Sequence, residues 1–137
     1  MADQDNHGIT DKATDKEQSE IDLVSRCVKL LEKSGQGTIA TQSIKHDGFP
    51  FASVMPYALG TDGKPLFLIS SMANHTRNIR TDNRVCLLVA DEDTGDRLAG
   101  GRVSVMGNAV LVSDDEREAA KIAYLKKHPS SQQWVDF

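Results

Sequence analysis

The most constraining feature of this sequence is a series of short apolar segments separated by turn-forming dipeptides. Asp47-Gly48 and Asp62-Gly63 each lie between two segments that are rich in β-branched and aromatic residues. Aspartate followed by glycine suits the tight turns between antiparallel strands, because glycine adopts positive φ angles at little cost. The pattern therefore predicts an antiparallel sheet, with its first strands at 38–44, 51–59 and 65–70 in meander order.

Two later segments extend the predicted sheet. Residues 84–90 form a continuous apolar run, which predicts a strand buried on both faces, and the valines of 103–112 alternate as in a long strand with a bulge at Gly107. Helices are predicted after Ser19, after Asp114 and at 73–81, where Asn74 would act as the cap. Five or six sequential strands with helices between and beside them favour a mainly β, α+β fold: an antiparallel Greek-key barrel with peripheral helices.

The N-terminal segment differs from the rest of the chain. Residues 1–18 are polar, with few strongly apolar positions and no hydrophobic periodicity. Such a segment buries too little apolar surface to offset the entropy of ordering. The sequence thus predicts a disordered tail at 1–18 and a single domain at 19–137.

Charge and motif content exclude several functional classes. With 16 Lys plus Arg against 20 Asp plus Glu, the net charge of -4 predicts no binding to nucleic acid or to anionic lipid. No apolar run approaches the ~20 residues of a membrane span, and no secretion signal begins the chain, so we expect a cytoplasmic protein. Four scattered histidines and two unpaired cysteines, Cys27 and Cys86, predict no metal site and two reduced core thiols. Motifs of serine hydrolases and of P-loop NTPases are absent.

Hydrogen-bond donors are concentrated around the predicted middle helix. Hydroxyls, cationic side chains and a helix N-terminus together suit a phosphoryl group, because each adds a dipolar or charge-assisted hydrogen bond. The alternative is a solvated helix whose polar residues serve only as caps. The residues of this candidate phosphate cradle are Ser70, Ser71, Asn74, His75, Thr76, Arg77, Asn78 and Arg80.

The order and spacing of several segments resemble a known family. These segments are 37–41 (GTIAT), 48–57 (GFPFASVMPY), 68–78 (LISSMANHTRN), 82–84 (DNR) and 102–109 (RVSVMGNA). Together they resemble the FMN-binding split-barrel superfamily, and more narrowly its pyridoxamine 5'-phosphate oxidase-like proteins of the haem-utilisation type. The resemblance covers roughly residues 20–137. It implies a six-stranded split barrel that forms a homodimer with two FMN molecules at the subunit interface.

The same resemblance assigns residues to the cofactor. The strand at 53–55 would run along the isoalloxazine with its backbone toward the ring's polar edge, and the serines at 70 and 71 would lie near the ribityl chain and phosphate. The segment 75–77 would bind the phosphate, and Arg102 would reach the flavin from the partner subunit. The predicted cofactor-binding residues are Ser53, Val54, Met55, Ser70, Ser71, His75, Thr76, Arg77 and Arg102.

The resemblance leaves three functions open. A flavin-dependent oxidoreductase with an unknown substrate is the leading hypothesis, and it needs no catalytic triad because the flavin performs the redox chemistry. A haem-binding or haem-degrading protein of the same fold is the alternative, and a cofactor-free interaction module is the third. Pyridoxamine phosphate oxidases carry arginine and lysine where this chain has Ser53 and about Ala58, which favours the second and third hypotheses, whereas the cradle favours the first.

Two candidate residues have alternative roles. Arg102 could pair with Asp93 or Asp96 as an ordinary strand-end charge. His128, directly before Pro129, is predicted to end the last helix as a cation that the helix dipole favours, with haem ligation as its alternative.

Overall fold

The computed structural model of the chain describes residues 7–96 and 98–136, with side chains from residue 14 onward. Its helices are α1 (His7–Lys33), α2 (Asn74–Thr81) and α3 (Asp114–Lys127), followed by a short 3-10 helix at Pro129–Gln133. Its strands are β1 (Gln36–Gln42), β2 (Pro50–Pro56), β3 (Ala58–Leu59), β4 (Pro65–Leu66), β5 (Arg84–Ala90) and β6 (Arg102–Asn108). This is an antiparallel α+β fold with helices outside the sheets, as the sequence predicted.

The described strands form two separate sheets. Four strands pair in the order β2-β1-β5-β6, and β3 pairs with β4 in a small hairpin. The predicted meander order is confirmed for the first three segments: 38–44 pairs with 51–59, whose last two residues form β3 and pair with β4 at the start of 65–70. The sequence did not predict that the other edge of β1 pairs with the distant strand β5. At Tyr57 the chain leaves the sheet: its amide donates to Gly35 O at 2.9 Å, and β3 starts in a new direction.

The core lies on one face of the larger sheet. It consists of Ile39, Met55, Tyr57, Leu87 and Val89, all buried. Between β1 and β5 the backbones approach so closely that a Cβ at Gly37 would lie 2.7 Å from Leu88 O, so only glycine fits there.

The C-terminal ends of α1 and α3 are fastened to this core. The Tyr57 hydroxyl donates to Leu31 O at 2.8 Å, and His128 Nε2 donates to Tyr57 O at 2.7 Å. Lys127 Nζ donates to the carbonyls of Glu32 at 3.0 Å and Lys33 at 3.3 Å. A cation on the terminal carbonyls stabilises the end of α1.

The helix α1 begins at His7, twelve residues before its predicted start. Residues 7–18 of the predicted tail are therefore helical, Ser19 is not a cap, and residues 1–6 lie outside the described residues. The side chains of 14–26 are nonetheless exposed. Low hydrophobicity argues against burial but not against a helix, and lysine, glutamate, glutamine and alanine are good helix formers. That 1–18 is dispensable for the domain stays a prediction.

The predicted strands near the C-terminus also need correction. The strand β5 is buried on one face only, because Leu88 faces away from the core. Gly107 pairs in register with Val85 and forms no bulge, and β6 ends at Asn108. The apolar side chains of Val110 and Leu111 are exposed beyond it, so the alternating pattern extended the strand prediction too far.

A buried polar network attaches α2 to the sheet. Asn78 Nδ2 donates to Thr41 Oγ1 at 2.9 Å, and its Oδ1 accepts from the amide of Ile44 at 3.1 Å. Asn78 and Thr41 are both buried. A buried side-chain amide is stable only when its donor and acceptor both form hydrogen bonds. Because both partners of Asn78 lie on or just after β1, these bonds fix the position of α2 relative to that strand.

We expect Asn78→Ala to lower the free energy of unfolding by about 1–3 kcal/mol, because it leaves the Ile44 amide without its acceptor and removes the donor to Thr41 Oγ1. The exposed Arg80 on the same helix supplies the control, and Arg80→Ala should change stability by less than about 0.5 kcal/mol. Urea denaturation followed by circular dichroism measures both. Equal losses in the two variants would contradict the assigned role of Asn78.

Candidate functional site

The larger sheet has an outer face, opposite the core, whose composition follows from the strand register. Thr38 pairs with Val54 on one side and Leu88 on the other, and Leu88 pairs with Ser104. Directly opposite residues share a face, so these four form one transverse row. The next row is Ala52, Ala40, Cys86 and Met106.

This outer face is apolar and accessible. Val54 is 66% exposed, Leu88 43% and Met106 80%. A contiguous apolar patch across four strands is typical of an interaction or ligand surface. The sequence does contain a signal for an apolar outer face, because β5 is apolar at every position from Val85 to Ala90. The prediction explained this run by burial of both faces of the strand within one chain.

Arg102 lies at one end of the outer face. It is the first residue of β6 and pairs in register with Ala90 of β5. The strand β6 lies three strand spacings, or about 14 Å, from β2. The alternative partners of this arginine are engaged elsewhere: Asp93 bonds Lys33 at 2.6 Å, and Asp96 accepts from the Leu98 amide at 2.9 Å. Within 7–96 and 98–136, Arg102 forms no ion pair.

The candidate cradle surrounds the first turn of α2. Its cap position is Ala73, in extended conformation, and no side chain caps the helix. The prediction of Asn74 as cap is wrong, because Asn74 is already the first helical residue. Thr76 Oγ1 donates to Ser70 O at 2.6 Å, which ties the preceding loop to the helix. The polar residues around this turn do not serve as caps.

The helix α2 is cationic. Arg77 and Arg80 are exposed, the helix contains no acidic residue, and neither guanidinium has a carboxylate partner in the described part of the chain. Uncapped amides and unpaired arginines on one short helix create a positive local potential. Such a terminus can hold an anion.

His75 occupies the second position of this helix. Its imidazole is half-buried, and desolvation by burial lowers its pKa from the usual value. Near neutral pH the ring is therefore uncharged in the free protein. It can donate a hydrogen bond to an anion, and a bound anion would favour its protonation.

The structure brings together some of the predicted cofactor residues. Ser70, Ser71, His75 and Arg77 lie around the first turn of α2, and Val54 lies on the outer face. The hydroxyl of Thr76 is engaged within the chain.

Three other predicted residues are placed differently. Met55 is buried in the core, and Ser53 shares that inner face because it lies opposite Ile39. Only their backbone can contact a ligand on the outer face, which is the contact that the resemblance implied. Arg102 is too distant from β2 to join the others within one chain.

The remaining candidates do not form a site. His128 is the C-cap of α3, as predicted, and its Nε2 is engaged with Tyr57 O. Both cysteines are free and half-buried, and Cys86 lies on the outer face rather than in the core. No group of three potential metal ligands occurs in the described ranges, and none of the helices described there is long and apolar enough to span a membrane.

An open cavity of about 390 Å³ lies apart from the predicted residues, between the end of α1 and the end of β5. Lys33 crosses it to reach Asp91 at 3.2 Å and Asp93 at 2.6 Å. One lysine against two aspartates leaves a net negative charge, so the cavity offers no comparable anion site.

Comparisons with known proteins agree with the fold. The profile of a family described as "Pyridoxamine 5'-phosphate oxidase" matches residues 23–135. A curated relative, "Non-canonical heme oxygenase HOZ, chloroplastic" from Arabidopsis thaliana, is 36% identical over 126 residues. The match covers 92% of this chain but 38% of that protein, so the chain spans well under half of the relative's length.

Two solved structures are similar. A heme binding protein from Mycobacterium smegmatis is 30% identical with a TM-score of 0.72, over 80% of this chain and 46% of that one. A protein of unknown function from Agrobacterium tumefaciens str. C58 is 26% identical with a TM-score of 0.72, over 79% of this chain and 46% of that one.

The lowered pKa of His75 predicts a dependence of stability on pH. A base whose pKa is lower in the folded state binds fewer protons there, so the folded state loses stability as the pH falls below the unfolded pKa of about 6.5. We expect the wild type to lose more stability than His75→Gln between about pH 7 and about pH 5. Urea denaturation at both pH values tests this, and parallel losses would contradict the burial of the imidazole.

Proposed function

The chain belongs to the pyridoxamine 5'-phosphate oxidase family, and on that premise we propose that it is an FMN-binding homodimer acting as a flavin-dependent oxidoreductase on an unidentified small molecule. One observation carries the proposal: an uncapped, cationic helix terminus on α2 adjoins β1 and β2, whose other face is apolar and exposed. This combination suits a ligand with a flat ring system and a phosphate. When bound, FMN would supply hydride or electron transfer.

The phosphate fits the first turn of α2. No side chain caps its amides, Arg77 has no carboxylate partner within 7–96 and 98–136, and the hydroxyls of Ser70 and Ser71 lie in the preceding loop. The bond from Thr76 to Ser70 O holds that loop against the helix. The Asn78 network fixes the helix to β1, so the donors are arranged before the ligand arrives.

The ring would lie along β2, the edge strand of the sheet. Val54 presents an exposed apolar side chain on the outer face, and residues 53–55 contribute backbone groups. One face of the ring would thereby be shielded from water. The other face requires a second surface.

A second copy of the chain supplies this surface. The strands β2 and β6 lie at opposite edges of the sheet. A two-fold axis parallel to the strands would place β6 of one subunit opposite β2 of the other, and Arg102 would reach the partner's flavin. We also propose that the two sheets are the halves of a six-stranded split barrel. Leu59 of β3 and Phe67 after β4 support this, because both pack against the core of the larger sheet.

Haem is the second candidate ligand. The observation in its favour is that two similar proteins, at 36% and 30% identity, are described as a heme oxygenase and a heme binding protein. The same flat apolar face and cationic helix would suit a porphyrin with its carboxylates. His128 is poorly placed to ligate its iron, because Nε2 already donates to Tyr57 O.

Substitution of Arg77 distinguishes phosphate binding from ring binding. We expect Arg77→Ala to weaken FMN binding by about 1.5–3 kcal/mol, roughly 10- to 150-fold in Kd, which is the scale of a charge-assisted hydrogen bond. Riboflavin lacks the phosphate, so its affinity should barely change. The control Arg80→Ala removes an exposed arginine from the last turn of the same helix, away from the uncapped amides, and should weaken FMN binding much less than Arg77→Ala does.

Flavin fluorescence quenching measures these affinities. Equal losses for FMN and riboflavin in Arg77→Ala would contradict the phosphate role. If the wild type bound neither flavin, titration with hemin, followed by its visible absorption, would separate haem binding from a cofactor-free interaction module.

The proposed site also requires a dimer. Light scattering at micromolar concentration should give a mass of about twice 15.0 kDa. A persistent monomer would leave Arg102 about 14 Å from β2, too far for the proposed ligand contact, and would exclude the interfacial flavin site.

A further inference from the structure

Met106 has the most exposed large apolar side chain on the strands of the two sheets, and it is 80% exposed. It lies on the outer face of the edge strand β6, in one row with Ala52, Ala40 and Cys86. These three side chains are short, so the row offers Met106 little to pack against within its own chain. A long, adaptable apolar side chain in such a position is typical of a contact with a ligand or another protein.

The two-fold axis of the proposed dimer determines what Met106 faces. Rotation about an axis parallel to the strands keeps every residue at its height along the strands and places β6 of one subunit opposite β2 of the other. The row that ends with Met106 on β6 begins with Ala52 on β2. The partner's Met106 would therefore face Ala52, which is the shortest side chain on the outer face of β2.

Side-chain sizes in the neighbouring row fit the same arrangement. Val54 would face the partner's Ser104, and Leu88 would face the partner's Thr38. Each longer apolar side chain thus meets a shorter one, which favours close packing between facing sheets. On the β2 edge, valine and serine together reach less far across the gap than alanine and methionine. Space for a ring therefore remains over Val54 and closes over Ala52.

The proposed FMN passes Ala52 between its phosphate and its ring. Asn78 attaches α2 to Thr41, and Thr41 pairs with Phe51, the neighbour of Ala52 in β2. The ring site at Val54 lies two residues, or about 7 Å, further along the same strand. A ligand with its phosphate at α2 and its ring over Val54 has its ribityl chain and the adjacent ring edge near Ala52.

We propose that Met106 of each subunit covers the flavin bound by the other subunit, over the ribityl chain and the adjacent edge of the ring. This rests on the proposed function, which supplies the dimer, its axis and the FMN site. Arg102 lies on the same face of β6, four residues or about 14 Å away, and contacts the same flavin from the other end. Met106 adds an apolar contact that is independent of the phosphate.

The first test compares two flavins. We expect Met106→Ala to raise the Kd of FMN and of riboflavin by the same factor, about 5- to 30-fold, because both contain the ribityl chain and the ring. Met106→Leu keeps a long apolar side chain and should restore most of the affinity. The control Ile122→Ala removes an exposed apolar side chain from α3 and should leave both Kd values unchanged. Fluorescence quenching measures the Kd values, and sedimentation equilibrium verifies that each variant is a dimer.

The second test shows whether Met106 acts across the interface. Arg77→Ala and Met106→Ala subunits with different affinity tags are co-expressed, and their heterodimer is purified through both tags. One of its sites lacks both side chains, and the other retains Arg77 from one subunit and Met106 from the other. We expect one FMN per heterodimer to bind with the wild-type Kd. If Met106 acted within its own chain, each site would lack one side chain, and neither would have wild-type affinity.

Failure of this inference is distinguishable from failure of the proposed function. A wild-type protein that is monomeric at micromolar concentration, or that binds neither flavin, would overturn both together. A wild-type dimer that binds FMN would leave the proposed function standing. In that dimer, unchanged or unequal affinities for the two flavins in Met106→Ala would overturn this inference alone, as would a heterodimer without a site of wild-type affinity.

Discussion

The hydrogen bonds of one buried residue, Tyr57, hold the elements of this fold together. Its amide donates to Gly35, its hydroxyl donates to Leu31 at the end of α1, and its carbonyl accepts from His128 at the end of α3. These bonds join the sheet to both long helices at the point where the chain leaves β2. Such bonds are worth more inside a protein than at its surface, because the dry surroundings leave no competing water. The C-terminal ends of α1 and α3 are therefore fixed relative to the sheet.

The second organising constraint is that the larger sheet buries only one face. The core stabilises the inner face, and the outer face retains valine, leucine and methionine side chains in contact with water. Antiparallel sheets usually carry polar residues on a face that contacts water. An apolar face in that position is typical of a surface that binds a ligand or another protein. The proposed ring site and the proposed subunit contact use the same surface, which makes ligand binding and association thermodynamically linked.

Local sequence signals predicted most of the elements and the pairing of neighbouring segments, but not the long-range pairing. The bounds of β5 were predicted to the residue, and α2 to within one, because apolar runs and turn residues are local properties. The pairing of β1 with β5 joins residues nearly fifty positions apart, which no local pattern specifies. The resemblance to a family correctly indicated the superfamily, whereas its assignment of Ser70 and Arg77 to a cofactor stays a prediction. The inward orientation of Ser53 and the bond between Asn78 and Thr41 became visible only with the register and tertiary packing in place.

The exposed outer face also makes the stability of the fold depend on the concentration of the protein. If two copies cover each other's outer faces, their association is part of the folding equilibrium, and mass action makes the unfolding midpoint rise with protein concentration. A sparsely produced chain would then spend more time with Val54, Leu88 and Met106 uncovered and accessible to proteases and chaperones. Abundance, as well as sequence, would set the working stability of this protein.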